Sequence, residues 1–134
     1  MTDDVRVAIR TDADVVTARQ EARTMATGLG FSSTDLTLLA TAISEVARNI
    51  TTYAGTGEVA LRVVQENGRR GIEVVASDRG PGIANVELAM QDGYTTGNGL
   101  GLGLPGTRRL VDDFELQTEV GAGTTIRLVK WARA

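Results

Sequence analysis

Two strand-like runs joined by Asn67-Gly68 constrain the fold of this chain more than any other feature. The runs cover residues 58–65 and 70–76 and are rich in valine. Asn-Gly is a favoured pair for a two-residue hairpin loop, because both positions then adopt positive φ at little cost. The sequence therefore predicts an antiparallel β-hairpin whose second strand ends just before Asp78.

Further strands are predicted near both ends of the chain. Val5, Val7 and Ile9 alternate with other residues, as in a strand with one buried face. A closing hairpin is predicted for residues 115–120 and 124–131, which flank a glycine-rich turn. Together these segments predict a mixed, mainly antiparallel sheet.

Apolar residues with helical spacing lie between the predicted strands. One stripe predicts a helix that starts at Thr11 or Asp12 and ends at residues 28–30, where two glycines occur. Ser32 is the predicted cap of a second, longer helix. Two more helices are predicted at residues 86–90 and from about 104 to 114.

Length and composition point to a single folding unit. A chain of 134 residues with 42% hydrophobic content suits one compact domain, residues 1–134, with one core. We therefore predict a two-layer α/β (α+β) sandwich, in which about three helices cover one face of the sheet.

The residue types that the sequence lacks exclude several classes of function. The chain has no cysteine and therefore no disulfide or thiolate zinc site. It also has no histidine and therefore no phospho-histidine acceptor. Proton transfer would have to use carboxylates, lysine or tyrosine. A net charge of −3 with no dense basic run argues against nucleic acid as a partner. No signal peptide or membrane-spanning apolar run is recognised, so we expect a cytoplasmic protein with no membrane partner.

Asp78-Arg79-Gly80-Pro81-Gly82 lies between a predicted strand and a helical stretch. A carboxylate at a strand end, followed by glycines that let backbone approach a ligand, suits a planar heterocycle with an exocyclic amine, and adenine is the obvious candidate. Taken alone, the same residues are better explained by a turn, which Gly, Pro and Asp also favour.

Glu45 and Asn49 lie one turn apart on a polar face of the second helix. Magnesium takes oxygen ligands and relies on a few protein oxygens together with substrate phosphates. Asn49 can supply such an oxygen, which leaves Glu45 to accept a proton. For an isolated pair at this spacing, a solvated helix face is the simpler explanation.

Glycines alternate along residues 97–106, just before the last predicted helix. Backbone amides without side chains, aimed into a helix N-terminus, make a good phosphate cradle, although a mobile glycine loop explains the composition as well. The glycines at 101, 103 and 106 match a dinucleotide-binding pattern, but no strand precedes them as that pattern requires.

Taken together, four segments resemble the GHKL superfamily of ATPases and kinases over nearly the whole chain. Glu45-x-x-x-Asn49 is similar to the N box, Asp78-x-Gly80-x-Gly82 to the G1 box, Gly101-x-Gly103 to the G2 box and Gly123-Thr124 to the closing motif. Within the superfamily, the strings 43–50, 53–55, 92–94, 101–106 and 130–131 most resemble the stressosome switch kinases, the RsbT-like proteins, which are related to anti-sigma-factor serine kinases.

The resemblance implies a Bergerat-type ATP-binding fold, with ATP and Mg²⁺ as cofactors. It also implies phosphorylation of serine or threonine on STAS-domain scaffold and antagonist proteins. The released kinase would then activate a PP2C-type phosphatase.

Site roles carried over from the resemblance fall on matching positions. Asp78 would accept the adenine amino hydrogen bond, Gly80 and Gly82 would line the base, and Thr124 would contact it through water. Asn49 would ligate magnesium, and Glu45 would orient or deprotonate the acceptor hydroxyl. Backbone amides would hold the phosphates at Gly99, Gly101 and Gly103.

One departure from the pattern concerns positive charge at the γ-phosphate. Related sporulation anti-sigma kinases carry an arginine where this chain has Gly99. Arg48 is a candidate replacement, and a surface ion pair with Glu45 or Asp78 is its alternative role. Tyr94-Thr95-Thr96 falls in the predicted lid, where nucleotide could order a docking surface.

Two other functions compete with a kinase. A binding module could sequester a sigma factor or phosphatase and use nucleotide only for control; Glu45 favours the kinase, because binding alone needs no base. The ATP-binding half of a two-component histidine kinase requires a phospho-accepting histidine, and this sequence contains none.

Overall fold

The computed structural model describes residues 4–90 and 103–132. Five strands form one sheet in the order β1-β2-β3-β5-β4. The strands are β1 (Val5–Ile9), β2 (Gly57–Glu66), β3 (Arg69–Asp78), β4 (Asp113–Glu119) and β5 (Gly123–Trp131).

Each neighbouring pair of strands in this sheet is antiparallel. The predicted α/β sandwich is confirmed. The sheet was predicted to be mixed and mainly antiparallel, and the described strands form antiparallel pairs only. The β2–β3 hairpin is also confirmed, because Asn67 and Gly68 both adopt positive φ, 52° and 80°, between Glu66 and Arg69.

The helices are α1 (Asp12–Ala26), α2 (Ser33–Tyr53), α3 (Val86–Ala89) and α4 (Gly103–Arg109). Thr11 caps α1, with its backbone N–H donating to the Asp14 carboxylate at 3.1 Å, and the Ser32 hydroxyl caps α2 by accepting from the Asp35 N–H at 3.0 Å. Among the described helices α2 is the longest at 21 residues, and none has the length and apolar content that crossing a bilayer requires.

The core lies between the two long helices and one face of the sheet. Alternate strand residues such as Val59, Leu61, Ile72 and Val74 are fully buried there together with helix residues such as Ile43. This alternation is what a sheet with one covered face requires, since successive side chains point to opposite faces.

The last helix is shorter than predicted. α4 ends at Arg109, whereas the apolar spacing suggested continuation to about residue 114. The Leu110 N–H donates to the Thr107 carbonyl in a tight turn, and the Asp112 N–H donates to Val129 of β5. Phe114 consequently lies in β4, opposite Leu128, because pairing with β5 satisfies its backbone instead of another helical turn.

A buried ion pair joins α2 to β5 on the covered face of the sheet. Lys130 follows Ile126 and Leu128 in the alternation of β5 and is only 4% exposed. Its ammonium lies 3.7 Å from the carboxylate of Asp35, which is also buried. The first turn of α2 is thereby connected to the end of β5.

Glu73 of β3 lies on the opposite face, between two arginines. Its carboxylate accepts hydrogen bonds from Arg62 at 2.6 Å and Arg127 at 2.7 Å. Burial acts to raise the pKa of Glu73, but the hydrogen bonds and charges of the two arginines outweigh burial and hold the pKa below its ordinary value of 4.5.

Stability is expected to depend on this carboxylate in acid. Because the folded-state pKa is below the unfolded value, the stabilisation is present above about pH 4.5 and is lost as the pH falls through the folded pKa. Glu73→Gln should lower the free energy of unfolding by about 1–3 kcal/mol at pH 7 and flatten its fall below pH 4.5. Urea unfolding from pH 7 to pH 3 measures the free energy of unfolding of each variant, with Glu66→Gln on the exposed hairpin end as control. Equal acid sensitivity of wild type and Glu73→Gln would contradict the prediction.

Candidate functional site

Residues of four neighbouring strands form a row across one end of the sheet. Gly57 pairs with Asp78, Asp78 with Thr124, and Thr124 with Thr118. Asp78 continues the alternation of Ile72, Val74 and Ala76, so the row lies on the face that the helices cover. We refer to Gly57, Asp78, Thr124 and Thr118 as the end row.

Asp78 is held by the turn that follows it. Its Oδ1 accepts a hydrogen bond of 2.8 Å from the Gly80 N–H. Gly80 in turn lies against Ala54, the C-cap of α2, so closely that an added Cβ would come within 2.6 Å of the Ala54 Cβ. The oxygen Oδ2 makes no hydrogen bond with the described part of the chain, and it is the Asp78 atom available to a ligand.

Two glycines around the end row are required by backbone contacts within the protein. Gly82 has a φ of +77°, and a Cβ there would overlap the carbonyl oxygen of Glu119. Gly123 has a φ of +119°, and a Cβ there would overlap the carbonyl oxygen of Asp78. The sequence predicts that the G1 glycines let a ligand approach closely. In the structure the β4–β5 turn also approaches them, and the Gly121 N–H donates to the Pro81 carbonyl at 2.8 Å.

Thr118 connects three parts of this region and is a residue that was not predicted from the sequence. Its Oγ1 accepts from the Ile83 N–H at 2.8 Å and donates to the Gly123 carbonyl at 3.2 Å. The same oxygen lies 2.9 Å from the Thr124 hydroxyl. The register of the closing hairpin was the available signal, since it puts Thr118 directly opposite Thr124.

The C-terminal part of α2 lies at the same end of the sheet. Ile50 covers Gly57 of the end row, where an added Cβ would meet the Ile50 Cγ2 at 2.7 Å. Asn49 precedes Ile50 and is half-buried, as is Glu45 one turn earlier. Arg48 is exposed, and no ion pair joins it to Asp78.

The remaining predicted phosphate contacts are only partly described. Gly103 is the first residue of α4, which packs on α2, and it has a φ of +70°. Gly99 and Gly101 lie outside the described residues, as does the lid segment at 94–96. The structure therefore brings together Asp78, Gly80, Gly82 and Thr124, and it places Asn49 next in sequence to Ile50, which covers Gly57. The ligand roles of these residues stay predictions.

The donor set fits a magnesium nucleotide better than a metal held by protein alone. In residues 4–90 and 103–132, no group of three or more His, Cys, Asp or Glu side chains could hold a metal ion. A half-buried amide such as that of Asn49 suits an ion that takes its other oxygens from phosphate and water.

Comparison with known proteins identifies the class to which this fold and site belong. The chain belongs to the family of histidine kinase-like ATPase domains, whose family model matches residues 9–130. This confirms the GHKL membership inferred from the four motifs.

Two relatives indicate which members of this family the chain is similar to. The serine/threonine-protein kinase RsbT of Bacillus subtilis is 46% identical over 133 residues, which are 99% of this chain and 100% of the relative. An anti-sigma F factor of Geobacillus is 34% identical over 104 residues, 72% of this chain and 70% of the relative. At this likeness to RsbT the chain is a serine/threonine protein kinase of the GHKL type, as predicted.

A solved structure supports the fold independently. The crystal structure of the RsbU and RsbW domains of a Mycobacterium tuberculosis protein aligns with a TM-score of 0.66 at 20% identity. The alignment covers 99% of this chain and 34% of that longer chain.

Proposed function

We propose that this chain is a cytoplasmic, Mg-ATP-dependent kinase of a stressosome partner-switching module, and that residues 1–134 are a single kinase domain. Its proposed substrates are serine or threonine residues of STAS-domain scaffold and antagonist proteins. After release from them, it would activate a PP2C-type phosphatase. The observation that supports the nucleotide part is the end row, in which Asp78 and Thr124 are cross-strand neighbours close to the C-terminal end of α2.

Adenine recognition is assigned to the end row. The Asp78 carboxylate accepts hydrogen bonds only, so its free oxygen suits the exocyclic amine of adenine. Gly80 and Gly82 carry no side chain between that carboxylate and the base. Thr124 contacts the base through water, and the amides of Gly99, Gly101 and Gly103 hold the phosphates.

Phosphoryl transfer is assigned to the polar face of α2. The acceptor hydroxyl oxygen attacks the γ-phosphorus, the bond to the β–γ bridging oxygen breaks, ADP leaves, and Glu45 takes the hydroxyl proton. Asn49 would hold magnesium, which neutralises developing charge on the phosphates when bound. Such a site needs positioning and charge neutralisation, and no covalent intermediate on the protein.

A second candidate function is an anti-sigma-factor or nucleotide-controlled binding module. The likeness to an anti-sigma F factor favours it. The two functions differ in their need for Glu45, because sequestration of a partner requires no proton acceptor.

The test uses phosphate transfer from labelled ATP to a purified STAS-domain protein, together with calorimetric ATP affinity. Asp78→Asn keeps an oxygen for the Gly80 N–H but turns an amide donor toward the adenine amine, so ATP affinity should fall about 10- to 100-fold. Labelled product should fall in parallel at ATP concentrations below Kd.

Asp113→Asn, the same change at an exposed position of β4, should leave both measurements unchanged. Wild-type ATP binding without any labelled product on STAS-domain proteins would favour the binding module. Unchanged ATP affinity in Asp78→Asn would overturn the assignment of the adenine site.

A further inference from the structure

We propose that Arg48 helps to select which serine or threonine is phosphorylated, by attracting an acidic residue one or two positions from the acceptor. This inference rests on the proposed function, because it takes Glu45 as the group that receives the acceptor proton and Asn49 as the magnesium ligand. Arg48 contacts the protein substrate and not the nucleotide, and it is a specificity-determining residue for the kinase reaction.

The order of side chains around α2 places Arg48 on the acceptor side of Glu45. Successive residues of an α-helix are rotated by about 100°. Relative to Glu45, Asn49 is therefore turned by about 40° in one direction and Arg48 by about 60° in the other. Glu45 lies between the two, so Arg48 is on the side of Glu45 away from phosphates held at Asn49. This position does not favour a role at the γ-phosphate.

Burial along the same part of α2 agrees with this order. Asn49 and Glu45 are half-buried, whereas Arg48 is exposed. Further round the helix in the direction of Arg48, Ser44 is 4% exposed and accepts a hydrogen bond of 3.5 Å from Arg19 of α1. Helix α1 therefore borders the polar face on that side, and Arg48 lies at the solvent edge from which a protein substrate can approach Glu45.

The Arg48 guanidinium is available to a partner protein. In residues 4–90 and 103–132 its side chain makes no hydrogen bond and no ion pair, unlike the side chains of Arg62 and Arg127. An exposed arginine on a helix is commonly just solvated. Arg48 differs from that ordinary case because it lies within one turn of both Glu45 and Asn49.

An acidic residue near the acceptor is the complement of this charge. A protein substrate must approach the Glu45 carboxylate and the phosphates of ATP, so an acidic residue beside its hydroxyl is repelled unless a cation lies close. Arg48 lies about 4.5 Å further along the helix axis than Glu45, since each residue rises about 1.5 Å. An extended chain advances about 3.3 Å per residue, so the attracted carboxylate belongs one or two residues from the acceptor.

The experiment measures kcat/KM for phosphate transfer from ATP to a STAS-domain protein whose acceptor residue has been located by mass spectrometry. Aspartate and lysine are placed in turn at the two positions on each side of that residue. At the most sensitive position, the wild type should use the aspartate version about 3- to 30-fold better than the lysine version at low ionic strength. The preference should shrink at about 1 M salt, where the Debye length is about 3 Å.

Kinase variants then assign the preference to Arg48. Arg48→Gln should reduce it to within about twofold, Arg48→Glu should reverse it, and Arg48→Lys should keep it, because lysine retains the charge. Any effect of the acceptor change on the substrate itself cancels when the same two substrate versions are compared between kinases. Arg69→Gln removes one positive charge at the opposite end of the sheet, and as the matched control it should keep the wild-type preference.

ATP affinity separates this role from one at the γ-phosphate. In Arg48→Gln, both ATP affinity and kcat at saturating acceptor should stay within about twofold of the wild type. An equal loss of transfer to the aspartate and lysine versions would assign Arg48 to the phosphates and overturn the inference. A wild-type preference for lysine, or an unchanged preference in Arg48→Gln, would also overturn it while the kinase activity stands. No transfer by the wild type to any version would overturn the proposed function, and this inference with it.

Discussion

Glu45→Gln is expected to lower phosphate transfer about 10²- to 10⁴-fold while ATP affinity stays within about threefold of the wild type. Glu45 lies half-buried on α2, one turn from Asn49. The chain has no histidine, so a carboxylate is the natural proton acceptor at neutral pH. Glutamine keeps the size and polarity of the side chain but cannot take up the proton.

The measurement is single-turnover transfer from labelled ATP to a STAS-domain protein, with ATP affinity determined separately on each variant. Glu66→Gln, the same substitution at an exposed position, serves as the control and should transfer at the wild-type rate. Transfer by Glu45→Gln within tenfold of the wild type would contradict the role of general base. An equal loss of ATP affinity and transfer would assign Glu45 to nucleotide binding instead.

Lys130→Met is expected to lower the free energy of unfolding by about 3–5 kcal/mol. Lys130 is 4% exposed, and its ammonium lies 3.7 Å from the Asp35 carboxylate in the first turn of α2. Methionine fills a similar volume, so the loss comes chiefly from removing the ammonium beside the buried Asp35 carboxylate. Urea unfolding at 25 °C, followed by far-UV circular dichroism, measures the change.

The double variant Asp35→Asn/Lys130→Met is the matched control. With the charge removed from both residues, most of the lost stability should return, because a neutral pair does not carry the desolvation penalty of a buried charge. Strictly additive effects of the two single substitutions would contradict an energetic coupling between α2 and β5. A cost below about 1 kcal/mol for Lys130→Met would contradict the importance of the pair.

Local sequence patterns were sufficient to predict most strands of the sheet. Asn67-Gly68 predicted the β2–β3 hairpin correctly because its positive φ angles depend on those two residues alone. The predicted end of α4 was wrong because the structure after Arg109 depends on β5. The Val129 carbonyl of β5 accepts a hydrogen bond from the Asp112 N–H, which favours a strand over another helical turn. Such a distant partner leaves no trace in helical periodicity.

In the candidate site, too, local sequence patterns predicted some residues, while others depend on partners that are distant in sequence. Asp78 and Thr124 were named from residue type and order, and the structure makes them cross-strand neighbours. Thr118 was missed because its role depends on register and on three partners distant in sequence. The glycines at 82 and 123 were recognised, but their contacts with Glu119 and Asp78 backbone require the folded chain.

Calorimetric titration of the wild-type chain with ATP and with inosine triphosphate, both with magnesium, tests the central claim most directly. If the Asp78 carboxylate in the end row reads the purine amine, ATP should bind with measurable heat and at least about tenfold more tightly than inosine triphosphate. No heat with ATP, or equal affinity for the two nucleotides, would contradict a purine site at the end of this sheet.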